Sequence, residues 1–353
     1  MLSARYISHP LIFYHPAGTS RGTLRSKPCW YLFLQDEDGI TGTGEVSFIP
    51  GLSVERPDGF EQRLQELCSR ISAGDVDPDD PLPEMPGVQF ALETALIDLD
   101  NGGSRMLYAS AFTSGEKGIP TNGLIWMGER KFMKDQIRKK LEAGFRVLKM
   151  KVGALLFEEE LELIDIIRKE YSPPDLELRL DANGAWEPEE ALEKLKQLSD
   201  YHIHSLEQPI AAGRIEAMAR VCTKSPVDIA LDEELIGISN PDRMEQILDT
   251  VEPAYIILKP GLLGGTGNAA KWIGLAGDRG IGWWITSALE SNIGLNAIAQ
   301  WTASLKVSMP QGLGTGSLYS NNIPSPLEME GDRLWFRPGK SWDLSVLARG
   351  EMR

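Results

Sequence analysis

Four ionisable residues recur through the middle of this chain at nearly constant spacing, each at the end of a short apolar run. Asp181, Glu207, Asp232 and Lys259 follow one another at intervals of 26, 25 and 27 residues. An interval of that length accommodates one strand, one helix and two loops. The spacing therefore predicts successive βα units whose strands end in charged residues.

Two further lysines lie just upstream, in the run Phe145–Val152. Alternate side chains of a strand share a face, so Lys149 and Lys151 are expected in one interior while Leu148 and Met150 take the other face. Like charges that close disfavour each other. At least one lysine pKa is therefore expected to fall toward the range of a working base.

Short apolar runs alternate with helical patterns from residue 116 to 322. Seven or eight such repeats are typical of an α/β protein built as a (β/α)7β TIM-type barrel. The active sites of these barrels lie at the carboxyl ends of the strands. The charged strand ends are therefore expected to meet at one rim.

The flanking segments predict an α+β capping domain. Residues 1–115 contain three strand patterns and two helical patterns, and the polar segment at about 16–28 is expected to be a lid loop. The segment 323–353 carries a strand pair around Leu327–Glu330 and Arg333–Phe336. We expect it to return to the cap and complete its sheet.

Composition excludes several classes of function. A formal net charge of -15 argues against nucleic acid as a partner, because no basic stripe is available to neutralise phosphates. No apolar run approaches 18 residues, so no membrane-spanning helix is expected. Three cysteines without a Cys-x-x-Cys pair, and no signal-peptide pattern, indicate the cytoplasm. The expected partner is a small carboxylate molecule, and the oligomeric state is left open.

Three carboxylates from consecutive strands are suited to a hard divalent cation. Asp181, Glu207 and Asp232 offer only oxygen donors, which favours Mg²⁺, with Mn²⁺ as a substitute. A zinc ion bound by His202 and His204 is the alternative. Zinc is disfavoured because both histidines precede Glu207 and are expected near the amino end of that strand.

Lysines on two sides of a dication form a geometry for removing a proton next to a carboxylate. The dication and one ammonium group stabilise the enediolate, and the other lysine, in its neutral form, takes the proton. The same strand alternation places Arg179 on the inward face, where it is expected to add positive charge near the metal site.

Five motifs together resemble the enolase superfamily in its muconate-lactonising branch, and within it the o-succinylbenzoate synthases. The motifs are Lys149–Gly153, Asp181–Trp186, Glu207–Pro209, Asp232–Glu234 and Leu258–Pro260. The resemblance extends to Gly44–Gly51 in the cap and to Ser287–Gly294 after the seventh strand. As a set, the motifs span most of the barrel.

The resemblance implies a role for each strand-end residue. Lys151 would abstract the proton and then, as the acid, help a β-hydroxyl leave on the same face. Lys259 would be the cation opposite it, and the three carboxylates would bind Mg²⁺. Residues expected to contact substrate or to support the ligands are Lys149, Arg179, Asn183, Glu233, Ser287 and Gly314. Asn183 and Glu233 have the alternative of being exposed helix caps.

The reaction implied is dehydration of a succinyl-hydroxycyclohexadiene carboxylate to o-succinylbenzoate, on the way to menaquinone. Two departures from the family pattern bear on substrate. Ala288 stands where relatives often carry a serine, and Met309–Gly316 lacks the Asp-x-Asp that holds the ammonium group of a dipeptide in the related epimerases. Dipeptide epimerisation is thereby disfavoured, whereas N-acylamino acid racemisation stays open. A catalytically silent metal-binding barrel is the remaining alternative.

Two other stretches have a functional and a structural interpretation. Leu262–Gly267 resembles a phosphate-binding loop, but a tight βα turn explains its glycines equally well. Trp126 and Met127 follow the first barrel strand and are expected to pack against a ring-shaped substrate. Trp283 and Trp284 are expected in the barrel core.

Overall fold

The computed structural model describes residues 2–19 and 22–349. Its amino-terminal part contains an antiparallel sheet in the order β1-β4-β5, formed by β1 (Ser3–Ser8), β4 (Trp30–Gln35) and β5 (Thr41–Val46). Two helices, α1 (Phe60–Ala73) and α2 (Pro86–Asp100), cover one face of this sheet. The buried residues of α1 recur every three or four positions, which gives the helix one apolar face for that contact.

Close contact between α2 and β5 depends on two glycines. A Cβ atom at Gly42 would lie 1.9 Å from the Ala95 carbonyl oxygen, and one at Gly44 would lie 1.9 Å from the Ala91 carbonyl oxygen. Any other residue at either position would collide with the α2 backbone. The two glycines therefore allow the helix to lie directly on the strand.

The polar segment predicted as a lid loop is instead a β-hairpin. Strands β2 (Leu11–Thr19) and β3 (Gly22–Lys27) pair antiparallel, with an irregularity between Ile12 and Ala17. A bridge from Gly18 to Met127 connects the hairpin to the barrel. The expectation of an irregular loop was wrong because polar residues on a two-stranded ribbon with little buried surface show no apolar alternation. Its role as a lid stays a prediction, and residues 20 and 21 of the predicted loop lie outside the described residues.

A curled parallel sheet forms the barrel, in the order β13-β12-β11-β10-β9-β8-β7. Its strands are β7 (Gly123–Ile125), β8 (Val147–Lys151), β9 (Glu177–Asp181), β10 (Ser205–Glu207), β11 (Ile229–Leu231), β12 (Tyr255–Leu258) and β13 (Gly282–Ile285). Bridges from Gln311 to Thr121 and from Gly312 to Thr286 close the ring through an eighth, irregular segment. The predicted (β/α)7β barrel with a strand-rich cap is confirmed.

Helices connect the barrel strands. They are α3 (Arg130–Glu142), α4 (Phe157–Glu170), α5 (Pro188–Leu198), α6 (Ile215–Lys224), α7 (Pro241–Val251), α8 (Pro260–Leu263), α9 (Thr266–Asp278) and α10 (Asn292–Ser304). Local signals define several of their starts. Helix α5 begins with a capping box between Glu187 and Glu190, and Asn240 accepts hydrogen bonds from the first turn of α7. Over the described residues, no helix has the length and apolar character needed to cross a membrane.

The carboxy-terminal strand pair does not join the sheet of the cap. Strands β14 (Leu327–Glu330) and β15 (Arg333–Phe336) form a separate sheet with β6 (Ile119–Pro120), the strand that leads into the barrel. The expectation that they complete the β1-β4-β5 sheet is therefore wrong. A later part of the tail does reach the cap, because Leu347 packs in a cluster with residues of β1 and β2. Strand propensity gives no information on which sheet edge a tail will find.

The glycine-rich turn at residues 262–267 is closed by a carboxylate from the cap. Glu93 on α2 accepts hydrogen bonds from the backbone N–H groups of Thr266 (3.0 Å) and Gly267 (3.2 Å) and from the Thr266 hydroxyl. The first turn of α9 therefore receives its cap from another domain of the chain. With Glu93 in place, this turn is not arranged as a phosphate site.

Replacement of Glu93 by Ala is expected to lower the free energy of unfolding by about 1–2 kcal/mol, the usual cost of a lost helix N-cap. The physical reason is that the N–H groups at the start of α9 lose their acceptor. Urea denaturation of both proteins measures the difference. Glu93→Gln, which keeps an acceptor oxygen, is the control and should lose less; equal stability of wild type and the Ala variant would contradict this account.

Candidate active site

Strand register brings the predicted charges to one rim of the barrel. Lys151 pairs with Asp181 across β8 and β9, and Asp181 pairs with Glu207 across β9 and β10. Asp232 directly follows β11, and Lys259 directly follows β12. In a parallel sheet the carboxyl ends of all strands meet at the same edge. The five residues consequently lie together there.

The three carboxylates form a compact buried cluster. Each of Asp181, Glu207 and Asp232 offers an oxygen that lies within 4.8 Å of the other two. Their exposed fractions are 0%, 2% and 1%. Oδ1 of Asp232 is buried without a hydrogen-bond partner among the described residues. Three acids this close need a shared cation.

Lys149 lies between two of these acids. Its Nζ is 2.9 Å from Oδ2 of Asp181 and 2.7 Å from Oε1 of Glu207. Burial alone would disfavour the ammonium form, but the surrounding carboxylates outweigh it and raise the pKa of Lys149. The expected decrease is therefore wrong for Lys149, because two carboxylates lie within 2.9 Å of its Nζ.

Lys151 and Lys259 contact different ends of the cluster. Lys151 donates to Oδ2 of Asp181 and to Oδ1 of Asn183, both at 2.7 Å. Lys259 forms an ion pair with Oδ2 of Asp232. The three acids come from β9, β10 and the end of β11, which lie between β8 and β12 in the sheet. The two amines therefore approach the carboxylates from opposite sides.

Burial and neighbouring charges shift the pKa values of the three acids in different directions. Burial raises carboxyl pKa values, but Lys149 and Lys151 outweigh it at Asp181 and lower its pKa, and Lys259 does the same at Asp232. At Glu207, burial and the negative charge of Asp181 together raise the pKa well above its usual value. At Lys259, burial disfavours the ammonium form, but the negative charges of Asp232 and other nearby acids outweigh burial and raise the pKa of this lysine.

The donor set fits a divalent metal ion. It provides three buried carboxylates, with one oxygen atom that has no other partner in the described chain. Hard cations with oxygen ligands, such as Mg²⁺, take such a set. Zinc at the histidines is not supported, because the ring of His204 packs against Tyr255 and Trp284, with centroid distances of 4.9 and 6.2 Å.

A cavity of about 190 Å³ lies between this rim and the cap. Barrel and cap both contribute to its wall. On the barrel side, the lining includes seven residues predicted from sequence: Lys149, Lys151, Asn183, Lys259, Ser287, Gly314 and Trp126. On the cap side, the lining residues are Gly22, Thr23, Leu24, Ile49, Pro50 and Leu52. The cavity thus has a charged floor and a largely apolar roof.

The other predicted residues are distributed differently. Glu233 accepts a hydrogen bond from Nδ2 of Asn183 (3.0 Å) and so supports the partner of Lys151. Arg179 is buried and inward-facing, but its guanidinium contacts Glu177 (2.7 Å), the Pro310 carbonyl oxygen (3.0 Å) and the face of Trp284 (4.3 Å). It therefore lies away from the carboxylates, because strand alternation gives the face of a long side chain but not its direction along the barrel.

Several pocket residues were not found from sequence. Leu52 and Asn122 line the cavity without a sequence pattern that pointed to them, and Asn122 precedes β7 with only 5% of its surface exposed. Three other lining residues lie in segments that the sequence did single out: Leu24 in the predicted lid loop, Ile49 in the motif Gly44–Gly51 and Leu289 in the motif Ser287–Gly294. Met127 is buried beside the hairpin and is not among the lining residues, and the buried Trp284 packs in the barrel core as expected.

Comparison with known proteins places the chain among related enzymes. Residues 132–339 match the family described as enolase C-terminal domain-like. An o-succinylbenzoate synthase of Desulfotalea psychrophila (strain LSv54) is 49% identical in an alignment of 360 positions that includes 93% of this chain and 97% of the relative. A hydrophobic dipeptide epimerase of Enterococcus faecalis is 27% identical, with 81% and 82% covered.

The solved structures that resemble this chain include the same two kinds of enzyme. MenC from Desulfotalea psychrophila LSv54 superposes with a TM-score of 0.82 at 45% identity and covers 95% of this chain and 99% of its own. The L-Ala-D/L-Glu epimerase from Bacillus subtilis superposes with a TM-score of 0.80 over 96% of both chains. At 21% identity, the second likeness concerns the fold alone.

The carboxylate cluster predicts that a divalent cation stabilises the protein. Mn²⁺ or Mg²⁺ at 100 times its Kd should add about 2.7 kcal/mol to the free energy of unfolding. Thermal melts with and without added metal, after treatment with a chelator, measure this gain. In Asp232→Asn the gain should be strongly reduced, since one ligand loses its charge. The exposed Glu193→Gln is the charge-matched control, and a gain that persists in Asp232→Asn would contradict the assignment.

Proposed function

The chain belongs to the family of enolase C-terminal domain-like proteins, and from that premise we propose that it is a Mg²⁺-dependent o-succinylbenzoate synthase, a hydro-lyase. The resemblance inferred from the five motifs is confirmed by the family match. The observation that carries the proposal is the pair of amines, Lys151 and Lys259, on opposite sides of three buried carboxylates.

The substrate in this proposal is a succinyl-hydroxycyclohexadiene carboxylate. Asp181, Glu207 and Asp232 would hold Mg²⁺, which supplies positive charge to the substrate carboxylate while the adjacent carbon loses its proton. Lys259, which forms an ion pair with Asp232, would be the ammonium group on the opposite side. It therefore contributes a second, fixed positive charge where negative charge develops.

Lys151 carries the proton in this mechanism. Its Nζ is oriented by Asp181 and Asn183, and Asn183 is in turn held by Glu233. The neutral amine accepts the α-proton, and the resulting ammonium returns that proton to the β-hydroxyl as the carbon–oxygen bond breaks on the same face. Water leaves, a double bond forms, and the lysine ends in its initial state. The gain of aromaticity favours elimination.

The cavity suits such a substrate. Its cap side offers Leu24, Ile49 and Leu52, which would cover the apolar ring, while Lys149 adds positive charge beside the metal ligands. On the wall opposite the cap, the hydroxyl groups of Ser287 and Thr315 form a hydrogen bond of 2.6 Å. Ser287 and Gly314 would contact the succinyl group of the substrate.

We also propose that the enzyme acts in menaquinone biosynthesis in the cytoplasm. The location is supported by the state of the cysteines, since Cys29, Cys68 and Cys222 are all free thiols. The pathway follows from the product of the proposed reaction.

Purified protein with Mg²⁺ is expected to remove the diene absorbance of the cyclohexadiene substrate. Lys151→Ala should lower kcat by a factor of about 100 to 10,000, the usual contribution of a positioned acid–base group. A chelator should abolish turnover, and added Mg²⁺ should restore it. Lys224→Ala changes an exposed lysine outside the cavity and serves as control. A Lys151→Ala protein with wild-type kcat would exclude the mechanism.

Racemisation of N-acylamino acids is a second candidate, favoured by the same two opposed amines and by the epimerase among the relatives. A dipeptide has an ammonium group that needs a carboxylate, and none of the described residues lining the cavity is acidic. An N-acylated amino acid lacks that ammonium group. The absence of an acid therefore disfavours dipeptides but not acylated substrates.

Exchange of the Cα hydrogen in D₂O tests this second activity. We expect N-succinylamino acids to exchange more slowly than the diene is dehydrated, and free dipeptides not to exchange. Mass spectrometry of recovered substrate measures the exchange, with Lys259→Ala as the variant that should lose it. Rapid exchange of a dipeptide would contradict the argument from the cavity wall.

A further inference from the structure

A lysine with no exposed surface lies beside the cavity, outside the metal cluster. Lys27, the last residue of β3, is 0% exposed. Its Nζ donates a hydrogen bond to the Leu289 carbonyl oxygen at 2.9 Å and lies 3.8 Å from Oε1 of Glu45. Burying an ammonium group is costly unless its partners satisfy it. The contact with Leu289 is therefore a strong link between the hairpin and the barrel.

Leu289 belongs to the loop that follows β13 and lines the cavity together with Ser287 and Ala288. Its φ angle is 62°, in the left-handed region that residues with a side chain rarely adopt. Its carbonyl oxygen accepts a second hydrogen bond from the Tyr319 hydroxyl at 2.7 Å. Two donors thus hold one strained peptide in place.

Glu45 on strand β5 and Ser47, just after that strand, hold the same loop from its other end. Glu290 accepts from the Ala288 N–H and from the Ser47 hydroxyl, each at 2.5 Å. Glu45 accepts from the N–H groups of Ser291 and Gly294, both at 2.8 Å, and thereby caps helix α10. With both ends held by cap residues, the position of the loop depends on the cap.

Strand β3 also supplies part of the cavity wall. Gly22, Thr23 and Leu24, at its beginning, line the cavity from the cap side. Lys27 therefore joins two wall segments, the start of β3 and the loop at 287–289, which come from different domains. Among the described residues, Nζ of Lys27 forms a hydrogen bond with Leu289 and an ion pair with Glu45, and it forms neither with the three carboxylates of the metal cluster nor with the two amines.

We propose that Lys27, assisted by Tyr319, is a positioning residue for substrate: it joins the hairpin to the loop at 287–289, so that one continuous wall encloses the part of the substrate that does not react. This inference rests on the proposed function. Loss of the link loosens the wall and weakens binding of the substrate and of o-succinylbenzoate. The amines and carboxylates stay in place, so kcat at saturation is retained.

Two variants and a control test the inference. Lys27→Met keeps the aliphatic stem and removes the ammonium group, and Tyr319→Phe removes one hydroxyl while the ring keeps its packing on Phe13. Glu93→Ala, the control, removes a different cap–barrel contact away from the cavity. KM and kcat come from the diene assay, affinity for o-succinylbenzoate from calorimetry, and stability from urea denaturation.

Lys27→Met is expected to raise KM and the product Kd at least 10-fold, and Tyr319→Phe about 3-fold, with kcat within a factor of about 3 of wild type. Glu93→Ala is expected to lose stability with KM unchanged. Unchanged KM and Kd in Tyr319→Phe, and in Lys27→Met where it folds, would show that the link is structural only. A fall in kcat without a change in KM would also overturn the inference. Absence of turnover in wild type would instead refute the proposed function on which this inference rests.

Discussion

Three carboxylates and three ammonium groups are buried together at one rim of the barrel, and neither set would be stable there alone. The six groups are Asp181, Glu207, Asp232, Lys149, Lys151 and Lys259. Removing ions from water costs several kcal/mol each unless opposite charges replace the solvent. Strand order satisfies this condition, since the acids lie between the lysines. The ion pairs also distinguish the three amines. Lys149 has two acids as partners, whereas Lys151 and Lys259 contact one acid each, from opposite sides of the cluster.

Carboxylates also connect the cap to the barrel. Glu93 caps α9, and Glu45 caps α10, each from a strand or helix of the cap. Within the cap, Glu55 accepts from the Gly87 N–H at the start of α2, and this contact holds the segment that carries Ile49 and Leu52. A helix N-terminus offers unpaired N–H groups and a favourable dipole for such a charge. Glu45 and Glu55 therefore hold segments that line the cavity, whereas Glu93 joins the cap to the barrel away from it.

The barrel and the position of its charges followed from spacing because both depend on local rules. A βα unit has a nearly constant length, alternation along a strand gives the face of each side chain, and parallel strands end at one edge. Arg179 shows the limit of these rules, since its inward face was expected but its contacts with Glu177 and Trp284 were not. The hairpin at β2–β3 and the pairing of β14–β15 with β6 were missed for a similar reason. The sequence of an exposed polar ribbon or of a terminal strand pair does not indicate which other strand it will pair with.

The amino-acid sequence by itself determined the order of the βα units, the charged residues at the ends of the five strands β8 to β12, and the oxygen chemistry of the metal ligands. Tertiary structure alone decided which wall faces that chemistry, because residues from segments far apart in the chain meet there. Lys27 and Leu289 are 262 positions apart. Contact between them follows from how the cap lies on the barrel, and that arrangement is set by many packed and hydrogen-bonded groups at once rather than by any local pattern.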